Sequence, residues 1–290
     1  MSAFLDLAAV DPLDYFARLV AEDDSLNLLE AAATLAQDEW PQLDVQQLLA
    51  DVDELALRLK RRVPADAVAS QRLRLLNQYF FQELGFAGNV NDYYASGNSY
   101  LHEVMKTRRG IPISLSLLYA ELALQLGLRA RGISFPGHFL VCLKLPAGEV
   151  VMDVFHGRSL SRDALEELLH PLRERAGVSD PADLPLELFL QPCSPRQWLA
   201  RMLRNLKEIH RRAAAWALLL QVQHRLLILL PGDAEELLDR AHTLERLMQW
   251  PEAVADYEQL LSLHPPVELA QQARERLEQL RQSPGGRLLH

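Results

Sequence analysis

The sequence predicts an α+β fold: a helical N-terminal region, a buried central helix packed on a small antiparallel sheet, and an all-α C-terminal region of helical repeats. Three observations predict it. Ile113 to Leu126 is a helix-length run with almost no polar face. From Leu128 to Phe155 short apolar runs are punctuated by Pro136-Gly137 and Pro146-Ala147-Gly148-Glu149, the pattern of strands joined by tight turns. Leu226-Leu227-Ile228-Leu229-Leu230-Pro231 returns as Leu260-Leu261-Ser262-Leu263-His264-Pro265, its proline 34 positions later, which is the period of a helix-pair repeat.

The elements follow in order. Asp11-Pro12 reads as an N-cap with proline in the first turn, leading into Tyr15, Phe16, Leu19 and Val20 at helical spacing. Leu26 to Gln37 is a second helical segment, closed by Trp40-Pro41. Asp44 to Arg62 is a third, with Val45, Leu48, Val52, Leu55 and Leu59 on one face and Asp51, Glu54 and Arg58 on the other. Residues 66 to 84 form a fourth, stopped at Gly85, and Gly88 to Asp92 is a loop by composition. Asn98 or Ser99 is expected to cap a helix running through Lys106. After the central helix, stopped by Gly127, Leu128 to Phe135 is a short mixed strand segment. His138 to Leu145 and Val150 to Phe155 are the two arms of a hairpin, so the sheet is antiparallel. Asp163 to His170 is a short helix. Residues 176 to 196, with Pro181, Pro185, Pro192 and Pro195, mark the domain boundary, giving domains at 1–178 and 195–283. Helices follow from Trp198 to Leu230 and on through Ala241, Leu244, Leu247, Ala253, Tyr257 and Leu260, the small and large apolar residues on which successive helices pack.

Composition narrows the function. With 290 residues, 49% hydrophobic, the chain can build a substantial core, and a net charge of −9 opposes binding to nucleic acid or to an anionic membrane. The basic runs Lys60-Arg61-Arg62 and Arg108-Arg109 read as solvated helix ends. Two cysteines, Cys142 and Cys193, suit a reducing compartment. The residues from Met1 to Asp6 lack a secretory pattern, and no apolar run reaches the ~20 residues of a membrane span. A cytoplasmic protein is expected. Scattered histidines and the lack of a glycine-rich phosphate loop argue for neither metal nor cofactor.

The chemistry concentrates between residues 108 and 155. Arg108-Arg109-Gly110-Ile111-Pro112-Ile113-Ser114 opens the central helix, Leu126-Gly127-Leu128 closes it, and Pro136-Gly137-His138-Phe139-Leu140 and Met152-Asp153-Val154-Phe155 follow. Helix start, His, then Asp is the order of a thiol-type triad, because unpaired N–H groups at a helix start favour a thiolate. These residues resemble the SirB family, whose members carry a transglutaminase-like core followed by tetratricopeptide-type repeats. The resemblance implies that fold over nearly the whole chain. It also implies that His138 and Asp153 stand where the superfamily places its His and Asp. Counted back from Gly127, the superfamily's cysteine falls near Pro112, so no thiol opens this helix.

Cys142 is no substitute, since four residues along one strand put it roughly 13 Å from His138. Ser114 has two readings: nucleophile of a Ser-His-Asp hydrolase or acyltransferase acting on amide or ester bonds, with His138 as base and Asp153 orienting it, or N-terminal cap of the helix. His138 and Asp153 likewise read either as the remains of a catalytic pair or as a satisfied buried polar pair. The favoured function is a non-catalytic interaction or regulatory scaffold with a protein or peptide partner, bound by repeat residues such as Trp250 and Tyr257.

Overall fold

A computed structural model describes residues 11–178 and 180–282; the expectations at Met1 to Asp6 and at residue 283 lie outside them. The chain divides into two compact units. One holds 27–36 and 43–202, the other 11–26, 37–42 and 203–282 among the described residues.

In the first unit α2 (Leu28–Thr34), α3 (Val45–Lys60), α4 (Ala69–Asn77) and α5 (Leu101–Thr107) surround the central helix α6 (Pro112–Gln125). Asp44 caps α3 as a side-chain acceptor for the Gln47 N–H at 3.0 Å. A π-helical turn at Gln78–Glu83 prolongs α4 and buries Tyr79 and Phe80, the latter stacked on Phe86 at 4.4 Å. Eleven residues of α6, including Ser114, Ser116 and Tyr119, are buried, as its all-round apolar sequence requires.

Strands β3 (Arg129–Ile133), β4 (Leu140–Leu145), β5 (Gly148–Asp153) and β6 (Arg158–Leu160) form an antiparallel sheet in sequence order. The register puts Ile133, Leu140, Cys142, Val151 and Leu160 on one face. They pack against Leu165 and Leu169 of α7 (Arg162–Arg175) and against Leu186. The alternate residues face α6, whose Ser116 Oγ lies 3.5 Å from the Phe139 carbonyl.

Several expectations change. The Gly88 loop begins with β1 (Ala87–Gly88), paired in parallel with β2 (Arg109–Gly110). Two-residue strands, held by bonds from the Ala87 and Asn89 N–H groups to the Arg108 and Gly110 carbonyls, leave no periodic pattern to read. Helix α5 is entered through Tyr100, because Asn98 turns its side chain back onto the Asp92 and Tyr93 carbonyls. β4 starts at Leu140, so His138 sits in the turn before it. α7 continues through Pro171, whose missing amide marks a stop in sequence alone. Residues 181–193 belong to the first unit: Leu186 is in its core and the Cys193 N–H donates to the Gly132 carbonyl at 2.9 Å.

In the second unit α1 (Pro12–Leu19) packs on α9 (Trp216–Leu229), and α10 (Ala234–Arg246), α11 (Trp250–Ser262) and α12 (Val267–Gln282) stack in turn. Asp11 caps α1 as expected, accepting from Leu13 N–H at 2.8 Å. Helix α8 (Pro195–Arg212) enters this unit at Leu203. Leu237, Leu238, Ala241, Tyr257, Leu260, Ala273 and Leu277 share one apolar cluster. Arg225, 0% exposed, is held by Asp38 at 2.8 and 2.7 Å and lies over the Phe16 ring. That bidentate pair compensates a buried charge. No helix among the described residues is long and apolar enough to cross a membrane.

Candidate functional site

The start of α6 is built by a reversal of the chain. Arg108 ends α5 in the left-handed region (φ 58°), β2 follows, and Ile111 takes the N-cap position with Pro112 first in the helix. Proline suits that place, where its missing N–H costs nothing. Ser114, three residues past the cap, reaches back: its Oγ accepts from the Ile111 N–H at 3.2 Å and donates to the Asn98 carbonyl at 2.6 Å. The side chain is fully buried. Gly110 allows this, since a Cβ there would stand 2.8 Å from Ser114 Oγ.

His138 is positioned from α8. Arg201 Nη1 donates to Ser134 Oγ at 2.6 Å and to the Phe135 carbonyl at 3.1 Å. Its Nη2 donates to the His138 carbonyl at 2.7 Å, and the guanidinium lies over the Phe139 ring. The imidazole is half-buried, and its buried Nδ1 has no hydrogen-bond partner among the described residues. Burial pushes the His138 pKa below its ordinary value, against the upward pull of the Asp153 carboxylate.

Asp153, at the end of β5, is 0% exposed and turns to a different histidine. Its Oδ1 accepts from the His156 N–H at 3.2 Å, and its Oδ2 lies 2.6 Å from His156 Nδ1. Arg158 Nε stands 3.7 Å from the same carboxylate. The two imidazole centroids are 6.4 Å apart.

The structure therefore gathers His138, Asp153 and His156 and leaves Ser114 bonded to backbone. No hydrogen bond joins Ser114 to His138, or His138 to Asp153, among the described residues. The hydrogen-bonded pair is Asp153–His156, in place of the expected Asp153–His138, because a carboxylate ending a strand finds both the amide and the ring three residues on. Cys142 is buried in the sheet's apolar cluster, where burial pushes its thiol up; burial likewise pushes Cys193 up to about 11. No group of three or more His, Cys, Asp or Glu among the described residues could hold a metal ion.

His156 and Arg201 escaped the sequence reading, and Asn98, expected as a helix cap, has a different role. Asn98 is buried and joins loop 89–93 to α6: it accepts from Asn89 Nδ2 at 3.0 Å, and its own Nδ2 donates to the Asp92 carbonyl at 2.6 Å. The loop carries Tyr93, 6.0 Å from the Phe155 ring, and is followed by the exposed Tyr94. For His156 a signal existed in Asp153-Val154-Phe155-His156-Gly157, an acidic residue three before a histidine at a strand end. For Arg201 there was none, since its partners lie 63 or more residues away.

Tyr257 cannot meet a partner as expected. It is 0% exposed, and its hydroxyl donates to Glu245 Oε1 at 2.5 Å. Trp250 is half-buried against the same cluster. Among the described residues of this unit is an open hollow of about 610 Å³ lined by His242, Glu245, Arg246 and Arg276.

A buried central helix packed on a small antiparallel sheet, followed by stacked helices, is the architecture of a transglutaminase-like protein with a tetratricopeptide region. A family model described as transglutaminase-like superfamily matches residues 46–204, and a tetratricopeptide repeat model matches 206–278. The chain belongs to the transglutaminase-like superfamily and, within it, to the UPF0162 proteins. It is 36% identical over 245 residues to a UPF0162 protein of Xylella fastidiosa, covering 84% of this chain and 86% of that one. A UPF0162 protein of Vibrio cholerae is 31% identical over 244 residues, 81% of this chain and 85% of its own. F-box only protein 21 of Pongo abelii is 31% identical over 201 residues, 64% of this chain but 30% of that protein. No solved structure shows a significant match.

Proposed function

We propose that this protein is a non-catalytic interaction scaffold of the SirB type, a bacterial cytoplasmic regulator that binds a protein or peptide partner and uses neither cofactor nor nucleic acid. The observation that carries the reading is the state of Ser114. A serine nucleophile must present its oxygen to substrate and its proton to a base. Ser114 is fully buried and its proton is directed to the Asn98 carbonyl at 2.6 Å. Pro112 occupies the first position of the helix, where a thiol would otherwise gain from the helix dipole. The tetratricopeptide match supports a protein partner, and the hollow between α10 and α12 presents the exposed His242 and Arg246 beside Arg276, which is paired with Glu245.

The competing reading, a Ser-His-Asp hydrolase or acyltransferase, requires Ser114 to leave its cap and meet His138. Labelling of the full chain with a fluorophosphonate decides between them. The scaffold reading expects no labelling above the level of Ser114→Ala. Stoichiometric labelling that disappears in both Ser114→Ala and His138→Ala would overturn it. A partner, once captured, should be lost with Arg246→Glu or Arg276→Glu and kept with Ser114→Ala.

A further inference from the structure

We propose that a hollow at the open end of the β3–β4 ladder is a binding site for a phosphate group carried on a small apolar body, a phosphomonoester. Its lining residues all belong to the first unit and none lies at α6's N-terminus, and it stands or falls independently of the scaffold reading.

The starting point is an arrangement that costs the fold something. The register of β3 and β4 sets Arg129 directly opposite Lys144. Residues so paired point to the same face with Cβ atoms about 5 Å apart, and like charges there are destabilising. The usual remedy is a neighbouring carboxylate. Glu149 does stand opposite Lys144 on β5, but its Oε1 is engaged by Arg131 Nη2 at 2.8 Å. Neither Arg129 nor Lys144 makes an ion pair among the described residues.

These two cations flank a hollow of about 320 Å³, and no acidic side chain lines it. In a chain of net charge −9, a lined cavity whose charged side chains are all positive is a selective feature. Arg72 adds a third cation at its edge: Nη1 donates to the Leu126 carbonyl at 3.1 Å and lies 3.1 Å from where a Cβ on Gly127 would stand. Gly127 has φ 75°, a conformation that favours glycine, so the floor of the hollow stays free of a side chain.

The remaining lining is apolar: Ala69, Leu128, Leu145 and Pro146. The volume exceeds what a bare phosphate fills, so the cations would hold the oxygens by charge-assisted hydrogen bonds while the organic body lies on the apolar wall. An anion there would also relieve the cross-strand repulsion, which gives the ligand a differential stabilisation of the folded unit.

The test uses the full chain, with phenyl phosphate and inorganic phosphate titrated separately at constant ionic strength and followed by amide NMR shifts. Phenyl phosphate is expected to give saturable shifts centred on 127–129 and 144–146. Arg129→Thr and Lys144→Thr should each weaken it about ten-fold or more. The ligand-free double variant should melt at the same temperature or roughly 1–3 °C higher, since the repulsion is gone. Equal affinity for inorganic phosphate would keep the site and assign it to the free ion. Absence of saturation up to about 10 mM, weaker than any specific site, or binding retained in the double variant, would overturn the proposal. So would a ligand-free double variant that melts lower, because the two cations would then be structural.

Discussion

Replacing Ser114 by alanine separates a cap from a nucleophile by stability alone. The hydroxyl makes two bonds inside the core, accepting from the Ile111 N–H at 3.2 Å and donating to the Asn98 carbonyl at 2.6 Å. Each neutral bond contributes about 1 kcal/mol net, and a buried group left unpaired costs more. The loss is limited because the Ile111 N–H also reaches the Asn98 carbonyl, at 3.3 Å. Alanine therefore should cost about 1–2 kcal/mol, a fall in melting temperature of about 2–8 °C for a unit of this size. Urea unfolding followed by tryptophan fluorescence, with the repeat unit's transition fitted separately, measures it. A catalytic serine held ready for substrate gives the opposite signature: stability unchanged or raised on truncation, since strained and unsatisfied groups collect at active sites. A Ser114→Ala variant as stable as the parent would refute the capping assignment and return the residue to the list of nucleophiles.

Other perturbations follow from the same geometry. Tyr257→Phe removes a buried bond to the Glu245 carboxylate and should cost about 1.5–3 kcal/mol, read by denaturant unfolding, while leaving partner capture intact in what still folds. Gly132→Ala should destabilise the first unit by about 1–3 kcal/mol, because a Cβ there would stand 2.3 Å from the Trp198 ring and 2.9 Å from Phe139; a neutral melt would contradict it. Burial lowers the pKa of His138, His210, His224 and His242 from the ordinary 6.5. Below pH 6.5 the unfolded chain then binds more protons than the folded one, so their stabilisation is complete above 6.5 and is lost as pH falls towards the lowered values. Melting temperature should drop between about pH 7.5 and 5.5, and His138→Gln should flatten part of that slope.

How much of this was legible in residues alone depended on how local each feature is. The all-round apolar run of α6, the hairpin after Cys142 and the proline period of the repeats were readable, because periodicity and turn chemistry are properties of adjacent residues. β1 and β2 were not, since two-residue strands exist only through the partner brought alongside them. Tyr257 was misjudged as a contact for a partner because an aromatic on a repeat helix looks alike whether it faces the groove or the core. Only packing against Leu237, Ala241 and Ala273 showed which.

By itself the sequence determined the α+β class, the helix that had to be buried, and the lack of a thiol where that helix begins. The tertiary structure decided which groups meet. It gave Asp153 to His156, tied Ser114 to Asn98, set Arg201 under the His138 turn and placed Arg129 against Lys144. The physical reason is range. Helix and turn preferences act within a few residues, whereas a hydrogen bond or ion pair forms wherever the fold brings donor and acceptor within about 3 Å, whatever their separation along the chain.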